Sequence, residues 1–198
     1  MSDFNPVRAA KPLINIILDL ETLSTRENAA IIQIGAVVTS ESCFKLPDGI
    51  PIEFEQTIRY EDCIAGEFHV ENVTMEWWEK QDRQTRAQVF SGQDSYESAF
   101  GEFSDWIKAI EAEGFDVAIW GNGSDFDNRL LNYSLSSFGF TNVWKYWNNR
   151  CLRTLIALAD IEKPPRIPEY ERQHTALGDA RYEERLYTLA MRKLQNVP

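Results

Sequence analysis

The chain has 198 residues, 43% hydrophobic and 26% charged, which excludes a disordered polymer and fits one compact α/β domain. Its 31 acidic against 20 basic residues leave a net charge of −11, which argues against broad nucleic-acid binding through phosphate neutralisation. A small catalytic site escapes that objection when its carboxylates hold cations that face the phosphate.

Residues 1–12, with Pro6 and Pro12, read as a loose lead-in, and residues 13–198 as a single domain. Leu13–Leu20 is an apolar, Ile-rich run expected to form a buried strand ending near Asp19. Ala30–Val38 is a second such run, and Ile52–Ile58 alternates apolar and polar residues as a half-exposed strand does. The turn residues Pro47-Asp48-Gly49 separate these two, so three consecutive strands with short connections predict antiparallel neighbours. Val73–Gln81 then reads as a short helix, and Tyr96–Ala112 as an amphipathic one stopped by Gly114. Asp116–Trp120 is a fourth strand, followed by helices at Phe126–Phe138 and Leu152–Ala159. Pro164, Pro165 and Pro168 interrupt the chain before a last helix, Leu177–Leu194. Strand and helix alternate through this second half, which favours crossovers and parallel pairing.

Cys43, Cys63 and Cys151 are scattered, with no CxxC pair, and read as reduced thiols. No signal-like leader is seen, and no run approaches the ~20 apolar residues of a membrane span, so a cytoplasmic protein with no membrane partner is expected.

Three segments carry candidate chemistry. Asp19 and Glu21 are i and i+2 on a strand, so both carboxylates share one face. Like charges that close are costly to bury unless a hard cation such as Mg²⁺ or Mn²⁺ sits between them. Asp127 follows a Gly/Asn-rich turn, Gly121-Asn122-Gly123, at the start of a helix, where Asp125 is the better candidate for the cap. His174 precedes Asp179 by five positions, and an imidazole can take a proton from water near neutral pH. Each feature alone also fits a solvated strand end, a helix cap or a surface histidine. His69 has no comparable setting and reads as a surface or packing residue.

Taken together and in this order, the segments resemble the DEDDh (DnaQ-like) 3′–5′ exonuclease superfamily. Glu76-Trp77-Trp78-Glu79-Lys80-Gln81 and Trp147-Asn148-Asn149-Arg150-Cys151-Leu152-Arg153-Thr154 are similar to stretches of its phage and prophage branch, of DexA and RNase AS type. Cys151 departs from that branch, which usually has an acid after the arginine; no catalytic role is assigned to it. The resemblance implies an RNase H-like α/β fold with a mixed central sheet flanked by helices. It also implies a metal site of Asp19, Glu21, Asp127 and Asp179 holding two divalent cations, Mg²⁺ or Mn²⁺, with Asp19 bridging them. His174 would be the general base, and nucleoside 5′-monophosphates would leave a nucleic-acid 3′ end. DNA is the first substrate expected; RNA is the alternative within the same chemistry, and an inactive nucleic-acid-binding module the alternative of another class. Substrate contacts are expected at Thr22, Leu23, Trp77, Trp78, Asn122 and Arg150, with one of the two adjacent tryptophans in the core. Relatives of this type are often homodimers, so a homodimer is a further expectation.

Overall fold

Leu13–Thr22 forms β1, the strand around which the sheet is built. The computed structural model describes residues 11–43, 45–65 and 68–195. Ile31–Val38 (β2) pairs antiparallel with β1, and after the short helix Ser40–Cys43 (α1), Glu53–Thr57 (β3) pairs antiparallel with β2. Tyr60–Ala65 (α2), Asn72–Glu79 (α3), Arg83–Val89 (α4) and Tyr96–Ala112 (α5) follow. Asp116–Gly121 (β4) then returns parallel to β1 on its other side. Beyond Asp127–Ser137 (α6), the short strand Asn149–Cys151 (β5) joins β4 in parallel. Leu152–Ala159 (α7) and Ala176–Gln195 (α8) complete the chain order. Among the described residues the sheet has five strands in the order β3-β2-β1-β4-β5. This mixed sheet flanked by helices is the RNase H-like α/β architecture expected. No helix among the described residues is long and apolar enough to cross a membrane.

Period-two alternation along β1 decides what each face of the sheet meets. Ile14, Ile16, Leu18 and Leu20 enter the main core with Phe100, Phe103, Ile107 and Ile110 of α5 and the leucines of α6. Ile17 points the other way, into a smaller cluster with Leu152 and Leu155 of α7 and Tyr187 and Ala190 of α8. Asp19 and Glu21 share the parity of Ile17, so they look toward α8.

The start of α8 rests directly on the sheet at Gly35. A Cβ there would lie 2.2 Å from the backbone carbon of Ala176, so any larger residue would push the helix away. Gln33, fully buried, accepts the Ala176 N–H at 2.7 Å and pins that end of the helix. Gly35 is the β2 partner of Asp19, and Gln33 the partner of Glu21. The close approach therefore occurs beside the carboxylates.

The principal expected elements are present to within a few residues. β1 runs beyond Asp19 to Thr22 and carries a register shift at Glu21/Thr22, so both acids lie inside the strand. A bulge of this kind re-aims side chains where a strand leaves its ladder. The short elements α1, α2, α4 and β5 are too brief to show a hydrophobic period. Apart from Lys11 and Pro12, the lead-in lies outside the described residues.

Candidate metal and catalytic centre

The C-terminal end of β1, the turn after β4 and the first turns of α8 converge on one cluster of acids. Glu21 is 8%, Asp127 5% and Asp179 9% exposed, while Asp19 keeps more access to solvent. Burial raises the Asp19 carboxyl well above its usual range, and Glu183, Asp127, Glu21 and Asp179 push it further in that order. Burial likewise raises Glu21, with Asp179 and Asp127 adding to it and Arg166 opposing. These acids hold protons tightly because each is dry and surrounded by its own sign.

Asp127 reaches the cluster through the tight turn after β4. A Cβ on Gly121 would lie 2.4 Å from Asn128 Oδ1 and 3.0 Å from Asp127 Oδ2, so only glycine admits the helix start this near the strand. Asn128, fully buried, donates to the carbonyl of Ile119 at 2.9 Å and to Asn149 Oδ1 at 2.9 Å, tying α6 to β4 and β5. Burial pushes the Asp127 carboxyl up to about 7, against the backbone N–H groups of Asp127, Leu20 and Asn122 and the nearby Arg153 charge. The expected capping role of Asp125 is not found. Phe126 is the N-cap and makes no side-chain cap, while Asp125 is exposed and its carbonyl accepts from Arg129 Nε at 2.8 Å. The Asp127 carboxylate, bonded to those backbone N–H groups, is the acid at this helix start.

His174 is held in a left-handed conformation, φ +58°, immediately before α8. That conformation is strained for a non-glycine residue and is retained where surrounding contacts over-determine it. The His174 N–H donates to Asp179 Oδ2 at 2.9 Å, and the edge of Trp77 meets its ring at 4.8 Å between centroids, 83° apart. Burial lowers the imidazole below its usual range, with Arg166 adding to the effect and Asp179 and Asp82 opposing it. A neutral ring is the form able to accept a proton. One ligand atom each from Glu21, His174 and Asp179 lie within 4.8 Å of one another.

Hard oxygen donors, buried and mutually repelling, fit a divalent cation. Asp179 Oδ1 and Glu183 Oε2 are buried without a hydrogen-bond partner among the described residues, although Arg166 Nη1 stands 2.5 Å from the former. Asp179 Oδ1 is thus ion-paired, whereas Glu183 Oε2 is left in the state that a bound cation would satisfy.

Sequence reasoning missed three residues here. Glu183, 4% exposed, is a fifth acid one helical turn beyond Asp179, a spacing legible only once α8 is known to face β1. Arg166 lies in the proline-rich segment before α8, its guanidinium stacked 4.2 Å over Tyr182. Arg153, at the start of α7, donates to the Asn122 carbonyl at 2.7 Å and acts on Asp127.

Leu23 is corrected as an expected substrate contact, and Trp78 is the tryptophan of the pair that lies in the core. Leu23 is fully buried in the main core, and Trp78, 2% exposed, donates from its indole to the Thr22 carbonyl at 2.9 Å. Both support the end of β1 from beneath and present no face to a ligand. Thr22 is buried as well, its hydroxyl bonded to the Ser24 carbonyl at 2.8 Å. Trp77 is 40% exposed beside His174, so one tryptophan is core and the other accessible, as expected. Arg150 bonds the carbonyls of Trp147 and Asn149 on its own strand end. His69 is a packing residue, its Nδ1 sharing a hydrogen bond with Ser24 at 2.7 Å.

A family model described as a 3′–5′ exoribonuclease Rv2179c-like domain matches residues 14–191. No curated protein matches the chain by sequence. Among solved structures, that of cell-death related nuclease 4 (CRN-4) is similar, with a TM-score of 0.52 and 13% identity over 90% of this chain. At that identity the likeness is one of fold, and the chain spans 64% of the length of that nuclease.

Proposed function

The chain belongs to the Rv2179c-like 3′–5′ exoribonuclease domain family, and from that premise we propose a metal-dependent 3′–5′ exonuclease of DEDDh type, acting on RNA 3′ ends. The family description supports RNA ahead of DNA, reversing the order expected from the sequence. The observation that carries the proposal is the convergence of Asp19, Glu21, Asp127 and Asp179 on one buried cluster edged by a neutral His174. Asp19, Glu21 and Asp179 would hold one cation and Asp19 with Asp127 the other. When bound, a pair of divalent cations supplies positive charge to the phosphate oxygens and eases ionisation of the attacking water.

The protein's own groups have separate tasks. His174 accepts the proton of the attacking water on a ring nitrogen. Its orientation is set by the backbone bond to Asp179 and by Trp77. Water oxygen bonds to phosphorus, the bond to the 3′ oxygen of the preceding nucleotide breaks, and that oxygen takes a proton. The released product is a nucleoside 5′-monophosphate. Trp77, exposed next to His174, offers a ring on which the terminal base stacks, and Arg153 holds the Asn122 carbonyl in the turn before Asp127. A phage or prophage lineage, a cytoplasmic location and a homodimer belong to the same proposal.

Single-stranded RNA and DNA of one sequence, labelled at the 5′ end, test it with Mg²⁺, Mn²⁺ or EDTA. The expected result is progressive shortening from the 3′ end, faster on RNA and absent in EDTA. Faster shortening of DNA would reverse the substrate order, and two intact strands would leave a binding-only module.

A further inference from the structure

β1 and α8 face each other as two rows of side chains. Ile17, Asp19 and Glu21 point toward the helix, and Asp179, Glu183 and Tyr187 recur every four residues on one stripe of it. Tyr187 shares an apolar cluster with Ile17 at one end of the rows. Asp179 stands with Glu21 at the other end. Glu183 is one turn from each and therefore lies level with Asp19. Consistently, Glu183 is the foremost charged neighbour acting on Asp19, as Asp179 is on Glu21.

Glu183 is 4% exposed, and its Oε2 finds no hydrogen-bond partner among the described residues. Its carboxylate is also bonded by the Asn122 side chain, and the Asn122 backbone N–H in turn bonds Asp127. A merely structural glutamate in so dry a place would have both oxygens bonded, and an amide or a methionine would fill the space without like-charge repulsion. Glu183 instead holds the turn that presents Asp127 and leaves one oxygen free among acids.

We propose that Glu183 is a fifth carboxylate of the metal site, its free oxygen turned to the cation held against Asp19. Charge balance agrees. Two divalent cations would offset the charge of Asp19, Glu21, Asp127 and Asp179, and Arg166, paired with Asp179, also acts on Glu183. The inference rests on the nuclease reading and goes beyond its four acids and histidine.

Mn²⁺ titration of the metal-free, full-length protein by calorimetry, with melting curves at pH 8, tests it on wild type and Glu183→Gln. The amide keeps the shape and the Asn122 bond and removes the charge. Without metal the variant should melt at or above wild type. It should bind Mn²⁺ about tenfold more weakly or worse, the usual loss when a supporting group of a metal site is removed. Its metal-induced rise in melting temperature should shrink accordingly, and Glu183→Asp, which retracts the charge without removing it, should fall between. A Glu183→Gln protein that fails to fold or melts below wild type without metal, or that binds Mn²⁺ as tightly, overturns the proposal. Wild type that binds no Mn²⁺ overturns the nuclease site itself, which separates the two failures.

Discussion

The two faces of β1 are built from alternate residues of one strand and could hardly differ more. The Ile14, Ile16, Leu18 and Leu20 row is fully or almost fully buried against α5 and α6 and carries no ionisable group. The opposite row passes through an apolar contact at Ile17 and ends in Asp19 and Glu21 against the acids of α8. One face holds the strand still; the other spends that rigidity on keeping like charges together. Removing a residue from the first should therefore change stability and spare chemistry, whereas the second should show the reverse.

Asp19→Asn gives the largest effect, because Asp19 is the acid common to both proposed cations. Turnover should fall to the assay background while the metal-free fold survives, as gel filtration and circular dichroism would show. A variant with measurable processive shortening would contradict the shared-ligand role. His174→Ala should slow turnover by roughly 10²–10⁴-fold, the usual size of general-base effects. Near-normal single-turnover rates would remove His174 from the chemistry.

On the other face, Ile16→Ala should cost about 2–5 kcal/mol of stability in urea titration. Its rate per folded molecule should stay close to wild type, and a selective loss of rate would blur the contrast. Trp77→Ala should weaken substrate binding by about 1–3 kcal/mol, the range for base stacking on an aromatic ring. That loss should appear mainly in KM, and an unchanged KM would leave Trp77 as a brace for His174 alone.

The smallest effect is on the pH dependence of stability without metal. Acids whose pKa is raised by folding bind protons more tightly in the native state than in the unfolded one. Their stabilisation is complete below the unfolded pKa and is lost as pH climbs through the folded value, about 7 for Asp127. In EDTA the melting temperature should therefore fall between pH 5 and pH 8, on the order of 5 °C. Excess Mn²⁺ should remove most of that fall; a flat profile in EDTA would mean that folding does not raise these carboxyls.

Much of this contrast was legible in the sequence, because a strand's two faces alternate by rule and Asp19 and Glu21 share a parity. The order of the acids, the antiparallel first three strands and the long helices followed from local pattern. What remained hidden was tertiary. Glu183 becomes visible as part of the site only when α8 is laid along β1, and Gly35 reveals that docking through a backbone contact no pattern encodes. Leu23 was expected at the substrate from the family resemblance, yet burial turns it inward, and which of Trp77 and Trp78 is the core residue shows only in the packing. Asp125 looked like a cap because its type favours one, but the turn after Gly121 gives the helix start to Asp127.

The docking at Gly35 also has a consequence for synthesis. Gln33 and Ala176, joined where α8 meets the sheet, are 143 positions apart. A growing chain therefore exposes β1 for roughly ten seconds or more of translation before α8 exists to close over it. During that interval the two acids of the first strand have no opposing row, and Asp179 and His174 are not yet made. The groups of the proposed site therefore come together late and in one step, when α8 closes over β1.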